Sequence, residues 1–445
     1  MPEERPWNGR ALHFVGIGGA GMSGWAHVAA QLGASVTGSD RAESPALLRL
    51  RDEGIDAVAG HAAENVPAGD GVELIVSTAV PADNPEVVVA RERGLVVHPR
   101  SDLLHELSTL RRTISIAGAH GKTTTTAMTA HALRGAGMDP GYLIGGALRA
   151  TGRHAEWGTG DWLVVEADES DRSMLALDTE VAVVTNVELD HHATYGSLEE
   201  VRDVFRTFLH GAPHAILWDR PDVLALRDGA DGETIPFDVP EPALGPEGSR
   251  FAWRGHEVVL GVPGAHNARN AAAALEACRL AGADLERAVA ALADFQGAGR
   301  RFESLGHAAS GARVVDDYAH HPTEVAATLR AARTLRPGRL VAIFQPHLFS
   351  RTQMLAHRFG EALALADVVA VLDVYPARER AEDFPGIDGR TVAGAVLDAA
   401  PGKTVFWLPD LDDARRVLEP RLRPDDLVLV LGAGNVDSLG RALVV

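Results

Sequence analysis

Residues Gly118-Ala119-His120-Gly121-Lys122-Thr123-Thr124-Thr125-Thr126 follow the apolar run Thr113-Ile114-Ser115-Ile116-Ala117 and open a helical stretch. A strand, a glycine-rich turn and a helix start, in that order, cradle a phosphate chain, because the first N–H groups of a helix have no partners within it and point at the anion. The chain contains two lysines, Lys122 and Lys403, so arginine supplies almost all of its 42 basic side chains. A lone lysine in the loop therefore marks a place where a compact ammonium is wanted rather than a guanidinium fork. Ile116 stands where the first glycine of a full Walker spacing would fall, so the loop is a variant of that motif.

The rest of the chain agrees with an α/β reading. Its 445 residues are enough for about three domains, with 46 glycines and only 5% aromatics. A net charge of −19 argues against a nucleic-acid groove or an anionic membrane as partner. The single cysteine, Cys278, excludes an internal disulfide and fits a reducing cytoplasm. No apolar segment has the length of a membrane span.

Strand and helix patterns alternate throughout and divide the chain into three expected segments: 1–108, 109–298 and 299–445. The first has a strand at 11–15, the loop Gly16-Ile17-Gly18-Gly19-Ala20-Gly21, a helix at 22–32 and a strand at 34–37 that leads into Gly38-Ser39-Asp40. Gly16, Gly18 and Gly21 with Asp40 form a dinucleotide fingerprint: a diphosphate on a helix N-terminus and a carboxylate toward a ribose. The second segment has strands at 113–117, 162–166 and 181–187. The last two end in the polar clusters Glu166-Ala167-Asp168-Glu169-Ser170-Asp171 and Asp190-His191-His192. Ligands gather at the carboxyl ends of such strands, so both clusters should face the phosphate loop. Thr123 and Glu166 are the candidate Mg²⁺ ligands, and His191 is either a further metal ligand or a positioning group. Residues 221–257 read as loops and short strands. The third segment begins at Gly299-Arg300-Arg301-Phe302, a candidate hinge, and carries strands at 313–316, 340–344, 368–372 and 427–431. Arg300 or Arg301 is suited to neutralise a transferring phosphoryl group, and Arg351 to hold a substrate carboxylate. With no Gly-x-Ser-x-Gly elbow and no reactive cysteine, the chemistry expected is phosphoryl transfer from ATP.

The residues then match a family. In ten ordered blocks (13–24, 118–126, 166–171, 185–195, 264–273, 299–302, 316–324, 344–352, 373–377 and 431–435) the chain resembles the Mur ligases of bacterial cell-wall synthesis. The resemblance implies a Rossmann-like UDP-binding domain, a central P-loop domain with a parallel sheet and a C-terminal Rossmann-like domain. It implies that ATP, with Mg²⁺, phosphorylates the lactyl carboxylate of UDP-N-acetylmuramate, that the amine of L-alanine attacks the acyl phosphate, and that phosphate leaves. By resemblance the UDP-sugar meets Gly18, Gly19, Ala20, Gly21, Ser39, Asp40, Ser77, Thr78 and Asn84. ATP meets the loop Gly118, Ala119, His120, Gly121, Lys122, Thr123 and Thr124, with Asn267 and Asn270 at adenine, Arg301 at the γ-phosphate and Asp317 at the ribose. The amino acid meets Tyr318, His347 and Arg351. Lys122, Glu166, His191 and Arg301 carry the catalysis.

Two departures stand out. Many relatives have an arginine after the histidine of the 344–347 block, where this chain has Leu348; Arg351 is then the main carboxylate clamp. Sister ligases use a carbamylated lysine after the Asp-His pair, and no lysine lies there. The expected assembly is a monomer or homodimer. Rival readings are a recycling ligase that joins a ready-made peptide to the same sugar nucleotide, an NAD-dependent oxidoreductase using the first glycine loop, and a nucleotide-binding regulator.

Overall fold

A computed structural model describes residues 5–445 apart from 78 and 191–193. The chain forms two compact units. One runs to Asp238 and includes Asn270–Ala291; the other comprises Val239–Arg269 and Leu292–Val445. The division falls inside the helix Ala265–Leu280.

The first unit carries two sheets. The leading one has β1 (Ala11–Val15), β2 (Ser35–Asp40), β3 (Asp56–Ala59), β4 (Val72–Val76) and β5 (Val96–Pro99), all parallel in the order β3-β2-β1-β4-β5. The order reverses between β1 and β4, which opens a crevice at the carboxyl end of β1. The second sheet has β6 (Arg112–Ala117), β7 (Gly141–Leu148), β8 (Arg153–Glu156), β9 (Trp162–Glu166), β10 (Val181–Val184), β11 (His214–Trp218) and β12 (Glu233–Phe237) in the order β12-β11-β10-β6-β9-β7-β8. Only the β7–β8 hairpin is antiparallel in this sheet. β6 is central, flanked by β10 and β9, and its apolar run is buried.

One hydrophobic core joins the two sheets. Phe14, Met22, Trp25 and Val28 pack in a single cluster with Leu143, Ala155, Leu163 and Val165. Helix Ala20–Gln31 makes this possible through Gly24, where a Cβ would come within 2.8 Å of the Ala155 side chain.

The second unit holds a small antiparallel sheet, β13 (Ala243–Gly245), β14 (Gly248–Trp253) and β15 (His256–Leu260), where the sequence reads as loops and short strands over 221–257. Its main sheet has β16 (Glu303–His307), β17 (Arg313–Asp317), β18 (Arg339–Phe344), β19 (Val368–Val371), β20 (Thr404–Trp407) and β21 (Asp426–Leu431) in the order β16-β17-β21-β18-β19-β20. It is parallel except for the edge strand β16. No described helix is long and apolar enough to cross a membrane.

Candidate functional site

The phosphate loop leaves β6 at Gly118 (φ 139°) and enters helix Lys122–Gly135 from Gly121 (φ 84°). Both glycines are required by more than dihedral freedom. A Cβ on Gly118 would sit 2.0 Å from Thr185 Oγ1, and one on Gly121 would sit 2.8 Å from Asn270 Oδ1. Strand β10's continuation holds the loop in place. Ala119 N donates to Asn186 O, His120 N donates to Asn186 Oδ1 (2.9 Å), and Thr185 Oγ1 donates to His120 O (2.6 Å). The His120 ring reaches Glu188 (3.0 Å). The four threonines at the helix start are poor helix formers alone, but all are buried, and Thr126 Oγ1 donates back to Lys122 O.

Lys122 Nζ donates to Gly118 O (2.7 Å) and to Glu169 Oε1 (2.9 Å). Burial works against this ammonium, but the charges of Glu169, Asp168 and Glu166 outweigh it and hold its pKa above the ordinary lysine value. Thr123 Oγ1 donates to Glu166 Oε1 (2.9 Å), while the other oxygen of Glu166 accepts from Gly145 N (2.6 Å). Gly145 leaves no room for a side chain: its Cβ would stand 2.7 Å from Glu166 Oε2. The structure thus gathers Gly118–Thr124, Glu166 and Asn270 at one end of the second sheet. His191 lies outside the described residues, as does Thr78.

At the first glycine loop, Gly16 N and Ile17 N donate to Ser39 O, and Gly18 N donates to Asp40 Oδ2 (2.8 Å). Ala20 and Gly21 open the helix that follows. Ser77 borders the loop, its Cβ lying 3.1 Å from the position of a Cβ on Gly16. Asn84 caps helix Pro85–Glu92 through Glu86 N (2.9 Å). Ser39 is buried, and its hydroxyl turns inward to Glu86 and His61.

Sequence reasoning missed two charged residues in this unit. Arg100, just past β5, pairs with Asp171 (2.6 Å) and lies over the Trp25 ring. Its guanidinium stands 3.7 Å from a Cβ placed on Gly21, so it links the acidic cluster of the second sheet to the first glycine loop. Nothing local marks it in the sequence, because the strand before it, β5, is too short to show a period. The other is Glu86, fully buried inside the leading domain.

In the second unit the expected residues lie at the carboxyl ends of β17 and β18. Asp317 is buried, and its oxygens accept from Phe302 N (2.8 Å) and Ala319 N (2.9 Å); burial pushes its pKa up. Arg300 is structural. It donates to Asp316 Oδ2 (3.0 Å) and Gly432 O (2.8 Å), tying the segment before β16 to β17 and to the end of β21. Arg301 lies over the Tyr318 ring at 5.0 Å and within 3.9 Å of Glu324. Tyr318, His320, His347 and Tyr375 form a chain of ring contacts, and buried Arg351 reaches His347 Nδ1 at 3.3 Å. Leu348 takes φ 70°, an unusual value for a branched side chain, with its N–H donating to Tyr375 O. Asn267 Nδ2 donates to Pro263 O (2.8 Å).

Comparison with known proteins places this geometry. Residues 11–112 match the model of the Mur ligase family catalytic domain, 116–278 that of the Mur ligase middle domain, and 300–434 that of the Mur ligase glutamate ligase domain. The chain belongs to the Mur ligase family. It is 43% identical to a UDP-N-acetylmuramate–L-alanine ligase of Pelotomaculum thermopropionicum, covering 98% of this chain and 97% of that one. It is 44% identical to the protein of the same name from Acidithiobacillus ferrooxidans, covering 97% and 96%. Among solved structures, the UDP-N-acetylmuramate–alanine ligase MurC of Thermotoga maritima superposes with a TM-score of 0.83 at 28% identity, covering 97% of this chain and 98% of that chain. A murein peptide ligase of Psychrobacter arcticus shares the fold, with a TM-score of 0.71 at 24% identity over 98% of each chain.

Proposed function

We propose that this chain joins L-alanine to the lactyl carboxylate of UDP-N-acetylmuramate at the expense of ATP, a step of peptidoglycan precursor synthesis. The observation that carries this reading is near-full-length identity above 40% to ligases bearing that activity in their names, together with a phosphate loop whose one lysine is held among three carboxylates. A carboxylate is inert to an amine until one oxygen becomes a good leaving group, and phosphorylation supplies it. Lys122 and the first N–H groups of helix Lys122–Gly135 then serve the phosphates. Thr123 and Glu166 provide hard oxygen donors 2.9 Å apart beside the loop, a set that suits Mg²⁺ with phosphate oxygens and water. A bound Mg²⁺ would supply charge neutralisation there, and Gly145 N–H keeps the Glu166 carboxylate oriented. His191 is assigned to the same ion by family resemblance.

The leading segment, 1–108, takes the UDP-sugar at its glycine loop, with Arg100 added to the residues expected. The segment 109–298 takes ATP, and 299–445 takes the amino acid through Arg351, His347 and Tyr318. Arg301, Asp317 and Asn267 are assigned to ATP by resemblance. Because the Asp317 carboxylate already accepts backbone N–H groups, its contribution to a ribose also includes shaping the loop around it. The decisive test is mass spectrometry of products from ATP, UDP-N-acetylmuramate and a mixture of L-alanine, L-serine and glycine. The alanyl sugar nucleotide should dominate. Formation of a product only when a ready-made peptide is supplied would identify a recycling ligase instead.

A further inference from the structure

Arg301, assigned to ATP above, stands in the chain between two residues in the left-handed region, Arg300 (φ 58°) and Phe302 (φ 50°). Bulky side chains rarely adopt it, so a loop that holds two such residues needs firm tethers. Phe302 N is tied to Asp317. Arg300 has more partners. Its N–H donates to Glu303 Oε2 (2.9 Å), and its carbonyl accepts from Tyr318 N (2.7 Å). Its guanidinium donates to Asp316 Oδ2, to Gly432 O and to Gly434 O (3.2 Å). Its guanidinium carbon also stands 5.0 Å from the centre of the Tyr318 ring, the same distance as that of Arg301. Arg300 therefore fixes together the backbone that presents Arg301 and the ring expected at the amino acid.

Asp316 is the carboxylate that Arg300 grips directly. It is fully buried, and its second oxygen has no hydrogen-bond partner among the described residues. Asp317 beside it uses both of its oxygens. Four charged groups face Asp316: Arg300, Glu303 opposite it on β16, Asp317 on β17, and Asp437 at the start of the helix Asp437–Ala442. Burial pushes its pKa up to about 6, against the pull of Arg300. The charge is thus costly where it stands, and an asparagine of the same shape would avoid that cost. What the charge supplies is a fixed direction for the Arg300 fork.

We propose that Arg300 and Asp316 are a positioning pair for the ligation reaction, holding Arg301 toward the phosphate being transferred and Tyr318 toward the amino acid. The proposal rests on the assignment of those two residues to ATP and L-alanine. The grip is complete while Asp316 is ionised, and protonation weakens it. The test is phosphate-release kinetics of the full chain between about pH 5 and 8, with calorimetry of UDP-N-acetylmuramate binding. Parent turnover should fall on the acid side with a midpoint near 6, the value at which Asp316 takes up its proton. At pH 8, Asp316→Asn should lower turnover roughly 10- to 100-fold, the cost of a misplaced reacting group, and raise the KM for L-alanine. It should also lose the acid limb near pH 6, keep the parent affinity for the sugar nucleotide and melt no lower than the parent. Arg300→Met should show a loss of the same size. The double variant Arg300→Met/Asp316→Asn should lose no more than Arg300→Met alone, because two residues that act as a unit are not additive. Parent turnover in Asp316→Asn at pH 8, an acid limb unchanged in that variant, or losses that multiply in the double variant overturn the proposal. Sugar-nucleotide affinity falling in step with turnover overturns it too, since the pair would then serve the fold in general. Parent turnover in Arg301→Ala would instead overturn the assignment beneath it.

Discussion

Replacing Lys122 by methionine should have two separable effects. Both oxygens of Glu169 lie 2.9 Å from Lys122 Nζ, and the two side chains are only 13% and 3% exposed. Removing one member of a buried ion pair typically costs about 3–5 kcal/mol, because the remaining charge keeps its desolvation penalty. Here Asp168 and Glu166 add repulsion. For a chain of this size that predicts a fall in melting temperature of about 3–5 °C. Since the folded pKa of Lys122 is raised, its contribution is fully present below the unfolded lysine value of 10.5 and disappears only as pH rises through the higher folded one. Melts at pH 7–8 therefore sample the whole effect. Turnover should fall by on the order of 10²-fold or more, through lost stabilisation of the transferring phosphoryl group. The double variant Lys122→Met/Glu169→Gln separates the two. It removes both charges, so it should recover most of the lost stability while phosphate release with UDP-N-acetylmuramate and L-alanine stays low. Turnover of the double variant near the parent value would show that Lys122 is only an ion-pair partner, and a single variant melting at the parent temperature would refute the buried-pair argument.

Gly145→Ala pushes a methyl group to within 2.7 Å of Glu166 Oε2, so it should raise the Mg²⁺ concentration needed for half-maximal turnover severalfold while UDP-sugar binding by calorimetry stays at the parent value. Arg351→Ala should raise the KM for L-alanine strongly and that for ATP little; the reverse pattern would move Arg351 to the nucleotide. Glu86 has a folded pKa of about 2 against 4.5 unfolded, so it contributes about 3 kcal/mol above pH 4.5 that is lost as pH falls toward 2. Glu86→Gln should accordingly flatten the slope of melting temperature against pH between 5 and 3. No lysine carbamate is expected, because Lys122 is committed to the phosphate loop and Lys403 Nζ donates to Ala364 O and Ala366 O. Rates at fixed pH should then be equal in CO₂-depleted and bicarbonate-supplemented buffer, and activation by bicarbonate would contradict this.

How much of this could be read in the sequence follows from how local each feature is. The phosphate loop, the first glycine loop and the strands before them are contiguous, and their glycines mark the places where the chain must turn or approach another segment closely; these were legible. β3 and β5 were not, because Asp56–Ala59 and Val96–Pro99 are too short to show a period. The sequence announces short strands within 221–257, but not the pairing of β13–β15 into a separate antiparallel sheet, because strands so short carry no signal of their partners. The roles of polar residues were hardest to read. Ser39 and Asp40 adjoin in the fingerprint, yet one hydroxyl turns inward to Glu86 while the other side chain caps Gly18 N. Neighbours on a strand point to opposite faces, and which face meets a ligand depends on partners far along the chain. Glu86 shows the same limit from the other side. In sequence it is one of 61 acids, following an Asn-Pro pair that marks a helix start. Only the fold brings His13, Ser39, Ala62 and Asn65 around it, and those four donors stabilise a buried carboxylate that no local pattern announces.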